Sequence, residues 1–281
     1  MQILTQAEQL QAQCQTWRAA GKTIALVPTM GFYHAGHEDL MRHGRTLADI
    51  LVVSLFVNPT QFGPQEDLSS YPRDLARDSA LVESVGADIL FTPSPESMYA
   101  PDHATWITVP ALAQGLCGAS RPVHFKGVCT VVMKLLMLSR ATVAVFGEKD
   151  WQQLAIIRRM VRDCCVPVRL VGRPTVRESD GLALSSRNAY LTSDERAEAP
   201  EIRRGLEWAQ EQVRHGEHDV QTLITGVLER WACRMPHGRV DYLSVVDPVS
   251  LQAVHTVAEQ ALMACAMNMG KARLIDNILL G

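Results

Sequence analysis

The chain has 281 residues with 27 Lys and Arg against 30 Asp and Glu, a net charge of −3, and its hydrophobic content of 47% excludes intrinsic disorder. The near-neutral charge and an aromatic content of 6% argue against nucleic acid as a partner. The longest apolar run, at 47–57, is too short to span a membrane, so no membrane partner is expected. The chain begins without a secretion signal, and its seven Cys form no C-x-x-C pair, which indicates a cytoplasmic location.

Strands and helices are predicted to alternate over the first part of the chain. Apolar runs predict strands at 24–29, 50–57, 89–91, 105–109, 143–146 and 168–171. Helical spacing predicts helices at 5–20, 37–47, 72–85, 128–139 and 151–164. Buried strands separated by helices indicate a parallel sheet covered on both faces. We therefore predict a doubly wound α/β domain over residues 1–175.

The pattern of polar and apolar residues changes near residue 176. A polar loop at 177–188 precedes predicted helices at 193–215 and 220–233. Short strands are then predicted at 241–246, 261–267 and 273–279. We predict a smaller α+β domain over residues 176–281, with the polar loop at its hinge or at its ligand-facing edge.

The segment after the strand at 24–29 is the most informative in the chain. It makes a Met30-Gly31 turn, and His34 and His37 then precede a helix. Such an arrangement points backbone N–H groups and a helix N-terminus at a phosphate. A Walker A loop needs Lys where His37 stands, and the chain has no G-x-G fingerprint. A metal-binding histidine pair and two surface histidines stay open as alternatives.

Polar side chains also follow the strand at 50–57. Asn58 and Gln61 lie just beyond its end, where they are suited to hydrogen-bond a ligand in the crevice of a parallel sheet. An ordinary Asn-Pro turn is the alternative. A weaker signal is Arg121 with His124, which fits either a basic anion site or surface charge.

Two later segments carry cations and hydroxyls. Lys149 follows the strand at 143–146, where an ammonium is suited to bind phosphate, and a surface lysine is the alternative. Asp150 and Gln153 fit either a ligand site or a helix capping box. The polar loop brings together Ser185, Ser186 and Arg187. Its composition is suited either to bind phosphates or to link two domains.

In this order, the segments resemble the pantothenate synthetase (pantoate–β-alanine ligase) family. The family pattern is a strand, PTMG-x-x-H-x-GH, F-x-NP-x-QF, GEKD-x-QQ and DGLA-x-SSRN. This chain has PTMGFYHAGH, LFVNPTQF, GEKDWQQ and DGLALSSRN. RPVHFKGVCTVV and RLIDN also resemble the family, so the likeness spans essentially the whole chain. It departs at Phe32-Tyr33, where the family more often has a small residue followed by Leu.

The resemblance implies a Rossmann-like domain of the nucleotidyltransferase type, followed by a C-terminal lid domain. H-A-G-H would be its HIGH element, and L-S-S-R would correspond to a lysine-rich mobile loop. Pantoate and MgATP would form pantoyl-adenylate and pyrophosphate. β-Alanine would then attack the adenylate and give pantothenate and AMP. ATP is therefore expected as a substrate with Mg²⁺, in a homodimer formed through the N-terminal domain.

The resemblance also assigns roles to individual residues. The residues expected in catalysis are His34, His37 (labelled a proton donor in the family), Lys149, Ser185, Ser186 and Arg187. The expected ATP contacts are Met30, Gly31, Phe32, Tyr33, His34, Ala35, Gly36, His37, Gly147, Glu148, Lys149, Asp150, Val176, Leu184, Ser185, Ser186 and Arg187. The expected pantoate contacts are Met30, Asn58, Gln61 and Gln153, and Gln61 is also expected to contact β-alanine. No metal ligand is assigned.

Two other functions stay open beside this one. A non-catalytic nucleotide-binding module would bind ATP without releasing pyrophosphate, and the loss of His37 or Lys149 would be its signature, but both are present. An enzyme like pantetheine-phosphate adenylyltransferase shares the H-x-x-H element. It leaves GEKD-x-QQ and the pair Gln61 and Gln153 unexplained.

Overall fold

The structure, a computed structural model, describes residues 1–64 and 66–281. Its strands are Gln2–Leu4 (β1), Ile24–Thr29 (β2), Ile50–Leu55 (β3), Ile89–Phe91 (β4), Val143–Gly147 (β5), Arg169–Arg173 (β6), Gly238–Val246 (β7), Ala261–Met269 (β8) and Ala272–Leu280 (β9). Its α-helices are Ala7–Ala19 (α1), Ala35–Leu47 (α2), Leu75–Ser84 (α3), Pro95–Met98 (α4), Pro110–Ala113 (α5), Cys117–Ser120 (α6), His124–Ser139 (α7), Trp151–Asp163 (α8), Ser193–Glu198 (α9), Glu201–Arg214 (α10) and Val220–Arg234 (α11). Single 3₁₀ turns lie at Pro59–Gln61, Glu148–Asp150 and Ser186–Tyr190. Within the described ranges, no helix is both long enough and apolar enough to cross a membrane.

Internal contacts divide the chain into two units, each assembled from several segments. The first unit comprises Met1–Ala111, Arg121–Glu148 and Ile156–Pro174, and the second comprises Leu112–Ser120, Lys149–Ala155 and Thr175–Gly281. The expected boundary at 175/176 differs from this division in two short segments. In the second unit, Leu116 and Trp151 pack with Val246 and Leu262, and this contact explains why the segments group with the later residues.

The first unit contains a six-stranded parallel sheet, and the predicted doubly wound α/β class is confirmed. The strand order is β1-β4-β3-β2-β5-β6. β2 lies between β3 and β5, with Val27 opposite Val53 and Ala25 opposite Val143. The order of the strands reverses at β2, so the crevice for a ligand is expected at the carboxyl ends of β2, β3 and β5.

Some elements of the first unit differ from the sequence prediction. The predicted strand at 105–109 is wrong, because the Ile107 N–H donates to the Thr130 hydroxyl (3.1 Å) and pairs with no neighbouring strand. Trp106 is 39% exposed, and the Lys126 ammonium lies 4.4 Å from its ring centroid. The three-residue strand β1, which pairs with β4, is absent from the sequence prediction.

The second unit contains an antiparallel sheet in the order β7-β8-β9, which confirms the α+β prediction for this part of the chain. Helices α10 and α11 contact each other. Helix α10 also contacts β9, and helix α11 also contacts β7. The fully buried Trp231 lies in this core, and its indole N–H donates to the Glu201 carbonyl (2.9 Å). The predicted helix at 193–215 is two helices, which Ala199 and Pro200 separate.

Candidate active site

A tight turn after β2 presents the first motif. Gly31 and Phe32 have positive φ angles of 86° and 51°, in the region where glycine is favoured. Both oxygens of the buried Asp78 carboxylate hold this turn, since they accept the backbone N–H of Phe32 (2.6 Å) and of Tyr33 (2.8 Å). Sequence reasoning missed Asp78. Its only signal is a carboxylate on the buried face of the amphipathic helix α3.

The two histidines lie together at the N-terminus of α2. His34 is the N-cap residue, and its Nδ1 accepts the Gly36 N–H (3.1 Å). His37 Nδ1 lies 3.4 Å from the His34 N–H, and the two ring centroids are 4.1 Å apart. Because each Nδ1 accepts, a neutral ring carries its proton on Nε2 and can donate there. The helix therefore starts at Ala35, two residues earlier than predicted, and both rings belong to its first turn.

Of the two residues that depart from the family pattern, Tyr33 points into the core. Tyr33 is 1% exposed, and its hydroxyl lies 2.9 Å from that of Thr29. Burial raises the pKa of Tyr33 above its usual range. Its bulk therefore fills the interior, and only its backbone is left for the predicted ATP contact. Phe32 is half-exposed, with the Arg77 guanidinium 5.4 Å from its ring centroid.

At the 3₁₀ turn after β3, the Asn58 side chain holds the Gln61 side chain by a hydrogen bond. The Asn58 amide donates to the Gln61 side-chain oxygen (3.1 Å) and to the Gly127 carbonyl (3.2 Å). Its oxygen accepts from the hydroxyls of Thr60 (3.0 Å) and Tyr99 (2.9 Å). Asn58 is 1% exposed and its hydrogen-bonding capacity is used within the protein. This geometry favours a role in orienting Gln61 over the predicted direct contact with pantoate.

The carboxyl ends of β2 and β3 bring two of the predicted pantoate residues together. Gln61 Nε2 lies 3.1 Å from the Met30 sulfur. At the end of β5, Gly147 pairs with Arg173 of β6, and Glu148 follows in a 3₁₀ turn. The first unit thus places residues from the first three motifs at the same edge of its sheet.

Lys149, one of the cations expected to bind phosphate, lies in the second unit. The Lys149 ammonium donates to the Leu184 carbonyl (3.1 Å), and the Leu184 N–H donates to the Val176 carbonyl (3.0 Å). Burial lowers the pKa of Lys149 from its usual value. Arg187 also lowers this pKa, while Asp150 opposes the shift.

The predicted polar loop is a hydrogen-bonded turn structure. Arg177 forms a bidentate pair with the buried Asp276 (2.7 and 2.8 Å) and bridges to Ala183 across the turn. Ser185 caps the following 3₁₀ turn, because its hydroxyl accepts the Arg187 N–H (3.3 Å). Ser186, in the same turn, is buried. The segment predicted as a phosphate-binding loop or a linker between domains is thus held by hydrogen bonds at Arg177, Leu184 and Ser185.

Two adjacent glutamines at the start of α8 have different environments. Gln152 is buried, and its amide donates to the carbonyls of Leu112 (2.9 Å) and Gly115 (2.8 Å). Gln153 is half-exposed and Asp150 is exposed. Neither side chain hydrogen-bonds to another residue in the described part of the chain, so the capping box considered above does not form. Both groups remain available to a ligand.

Essentially the whole chain is similar to known proteins. The model of a family described as Pantoate-beta-alanine ligase matches residues 2–279. Pantothenate synthetase of Desulfovibrio desulfuricans is 65% identical over 280 residues, covering 100% of this chain and 99% of the relative, and that of Nitratidesulfovibrio vulgaris is 56% identical with the same coverage. The solved pantothenate synthetase of Thermus thermophilus has a TM-score of 0.92 and 43% identity, and 99% of each chain is covered. Pantoate-beta-alanine ligase from Francisella tularensis, complexed with beta-gamma ATP and beta-alanine, has a TM-score of 0.79 and 31% identity, with 99% of this chain and 97% of that chain covered.

Proposed function

The chain belongs to the pantoate-beta-alanine ligase family, and from this premise we propose how its residues join pantoate to β-alanine at the expense of ATP. The pantoate carboxylate attacks the α-phosphorus of ATP and pyrophosphate leaves, which gives pantoyl-adenylate. The β-alanine amine then attacks the acyl carbon, and AMP leaves as pantothenate forms. The proposal is carried by one observation in the first unit. The edge of the sheet that presents His34 and His37 also presents Met30 beside Gln61.

The histidines are proposed to stabilise charge on the phosphates. As pantoate attacks, negative charge grows on the phosphoryl oxygens and on the departing pyrophosphate. His34 and His37 can donate from Nε2 beside the N–H groups of the α2 N-terminus, where anions are favoured. Phosphate oxygens hardly need a proton at neutral pH, so we assign His37 to charge stabilisation in place of proton donation. Positioning and electrostatics are then sufficient, and no protein nucleophile is needed.

The second unit is proposed to supply the remaining phosphate ligands. Lys149 acts as a point charge, Arg187 offers a planar fork of donors, and the hydroxyls of Ser185 and Ser186 add hydrogen bonds. An acyl adenylate hydrolyses readily, so water must be kept away from it. Closure of a lid formed by residues 176–281 is our proposed means of doing so.

Pantoate and β-alanine are proposed to bind beside Gln61. The amides of Gln61 and Gln153 would orient the pantoate hydroxyls and carboxylate, and Met30 would pack against its gem-dimethyl group. Gln61 would then also contact β-alanine. Because Asn58 and Met30 hold the Gln61 side chain from two sides, its amide has one preferred orientation.

Mg²⁺ is proposed to arrive with ATP. Magnesium is usually bound through substrate phosphates and one or two carboxylates. In the residues that the structure describes, no group of three or more His, Cys, Asp or Glu could hold a metal ion. We also propose a homodimer formed through the first unit and a cytoplasmic location. All seven cysteines are free, which suits a reducing compartment.

ATP–pyrophosphate exchange tests the two-step reaction. Exchange should require pantoate and should proceed without β-alanine, because the adenylate forms first. Net AMP release should then need both substrates. Exchange that depends on β-alanine, or AMP release that is independent of pantoate, would overturn the proposed function.

A further inference from the structure

The backbone carbonyl of Gln61 is held by Arg121 and His124, the pair that gave only a weak basic signal in the sequence. His124 Nδ1 lies 3.0 Å from this carbonyl oxygen, and Arg121 Nη2 lies 3.4 Å from it. Arg121 also approaches the other nitrogen of the histidine, with Nη1 3.3 Å from His124 Nε2. The same Nη2, together with Nε, donates to the Glu66 carboxylate, with which the guanidinium forms an ion pair. Glu66, Arg121, His124 and the Gln61 carbonyl therefore form a continuous hydrogen-bonded row.

The chemistry of the row fixes the tautomer of His124. A guanidinium can only donate hydrogen bonds, so Nε2 of His124 accepts from Arg121. The ring proton of the neutral histidine then sits on Nδ1, where it donates to the Gln61 carbonyl. The ion pair with Arg121 lowers the pKa of Glu66 against the opposing effect of burial. Glu66 therefore stays ionised and keeps the guanidinium in place.

The position of His124 in the fold supports a restraining role. It is the first residue of α7 and is 8% exposed. Asn58 separately holds the side chain of Gln61. The carboxamide and the main chain of Gln61 are thus held by different partners on different elements. Loss of Asn58 would release the carboxamide of Gln61, and loss of His124 would release its main chain.

We propose that His124 and Arg121 are positioning residues for Gln61, which fix the main chain of the 3₁₀ turn so that the Gln61 amide meets pantoate in one orientation. This inference rests on the proposed function, since it assigns the row to pantoate binding. Neither His124 nor Arg121 needs to touch a substrate for this role. Their effect should appear in the Michaelis constant for pantoate and not in that for ATP.

Two substitutions of His124 separate the restraint from general stability. In His124→Asn the side-chain amide nitrogen can replace Nδ1 as donor, whereas His124→Leu removes the donor and leaves a buried carbonyl without it. A net hydrogen bond of ordinary strength corresponds to about threefold to tenfold in an equilibrium. We therefore expect His124→Leu to raise the pantoate KM by about that factor, with kcat and the ATP KM changed less, and His124→Asn to recover most of the difference. Arg121→Gln should show an intermediate increase, and the exposed neighbour Val123→Ala serves as the matched control.

The outcomes distinguish the positioning role of His124 and Arg121 from the proposed function on which that role rests. A wild-type chain without pantoate-dependent exchange would overturn the proposed function. Normal wild-type exchange, with an unchanged pantoate KM in His124→Leu and only a lower melting temperature, would overturn the inference alone. Equal impairment of His124→Asn and His124→Leu would also overturn it. If His124→Leu does not fold, an unchanged pantoate KM in Arg121→Gln has the same consequence.

Discussion

A single buried carboxylate stabilises the turn that precedes the two histidines. Asp78 accepts two backbone N–H groups that no other residue of the turn satisfies, and a buried polar group left without a partner costs about 1–3 kcal/mol. Asp78→Ala should therefore lower the free energy of unfolding and raise the ATP KM. Asp74→Ala is the matched control, because it removes only the N-cap of the same helix. Urea melts beside initial rates will show both effects, and an unchanged ATP KM in Asp78→Ala would contradict the positioning role.

His37 and Lys149 are expected to act mainly on adenylation. Removing one preorganised donor from a transition state typically costs about 10²–10³ in rate. His37→Ala and Lys149→Ala should each slow pyrophosphate exchange by that factor, while thermal melts stay near wild type. His43→Ala, on the same helix as His37, should leave exchange unchanged. Near-normal exchange in either site variant would show that its side chain does not serve the reaction.

The depressed pKa of Lys149 predicts an alkaline limit on activity. Its ammonium is lost at a lower pH than that of an ordinary lysine, so kcat/KM for ATP should fall as the pH rises through this lowered pKa. The free energy of unfolding should rise through the same window, because the unfolded chain binds the extra proton. Lys149→Arg keeps its charge and should move the alkaline limb upward. An identical limb in this variant would assign the titration to another group.

The site residues that sequence reasoning could predict are those whose chemistry is local. His34 and His37 lie within one helical turn, and their spacing is enough to bring them together. Asp78 and His124 bind backbone atoms that are 45 and 63 residues away in the chain. A side chain that binds a distant main-chain atom leaves no periodic signal in the sequence. The sequence therefore marks Arg121 and His124 only as a weak basic signal, and their contact with the Gln61 carbonyl emerges once the fold is known.

At the scale of elements, one glycine sets the distance between α7 and the turn that carries Gln61. A Cβ at Gly127 would lie 2.5 Å from the Thr60 carbonyl oxygen and 2.6 Å from the Gln61 nitrogen. Backbone atoms on both sides must move to make room, so Gly127→Ala should raise the pantoate KM and lower the melting temperature. At Gly115 a Cβ meets nothing within 4 Å, and Gly115→Ala is the control. A pantoate KM equal to that of the control would contradict this account.

The prediction of helices and strands succeeds where the signal is local and fails where an element depends on a distant partner or on a proline. The five predicted helices of the first part all form, because their apolar spacing reflects real burial. The segment at 105–109 has β-branched and aromatic residues that favour a strand, yet a strand also needs a partner, which lies outside the local pattern. The helix predicted at 193–215 breaks at Pro200, since Pro begins a helix more readily than it continues one.

At the scale of the whole molecule, the second unit is assembled from three separate stretches of chain. A chain ending near residue 175 keeps Leu116 and Trp151 but loses Val246 and Leu262, against which they pack. We therefore expect this truncated chain to melt well below the full chain and to expose apolar surface. Dye binding and thermal melts will show it, and a cooperative melt at the full-chain temperature would contradict the expectation.

The place of β9 in the second unit has a consequence for protein synthesis. Asp276 and Asn277, both on β9, bind the Arg177 guanidinium and the Lys149 carbonyl. A ribosome makes β9 after every other element of this structure. The nascent chain can therefore pair the strands of its parallel sheet long before the Arg177 side chain and the Lys149 main chain acquire their final partners. Ligase activity should accordingly appear late, after translation of β9, and not gradually as the chain grows.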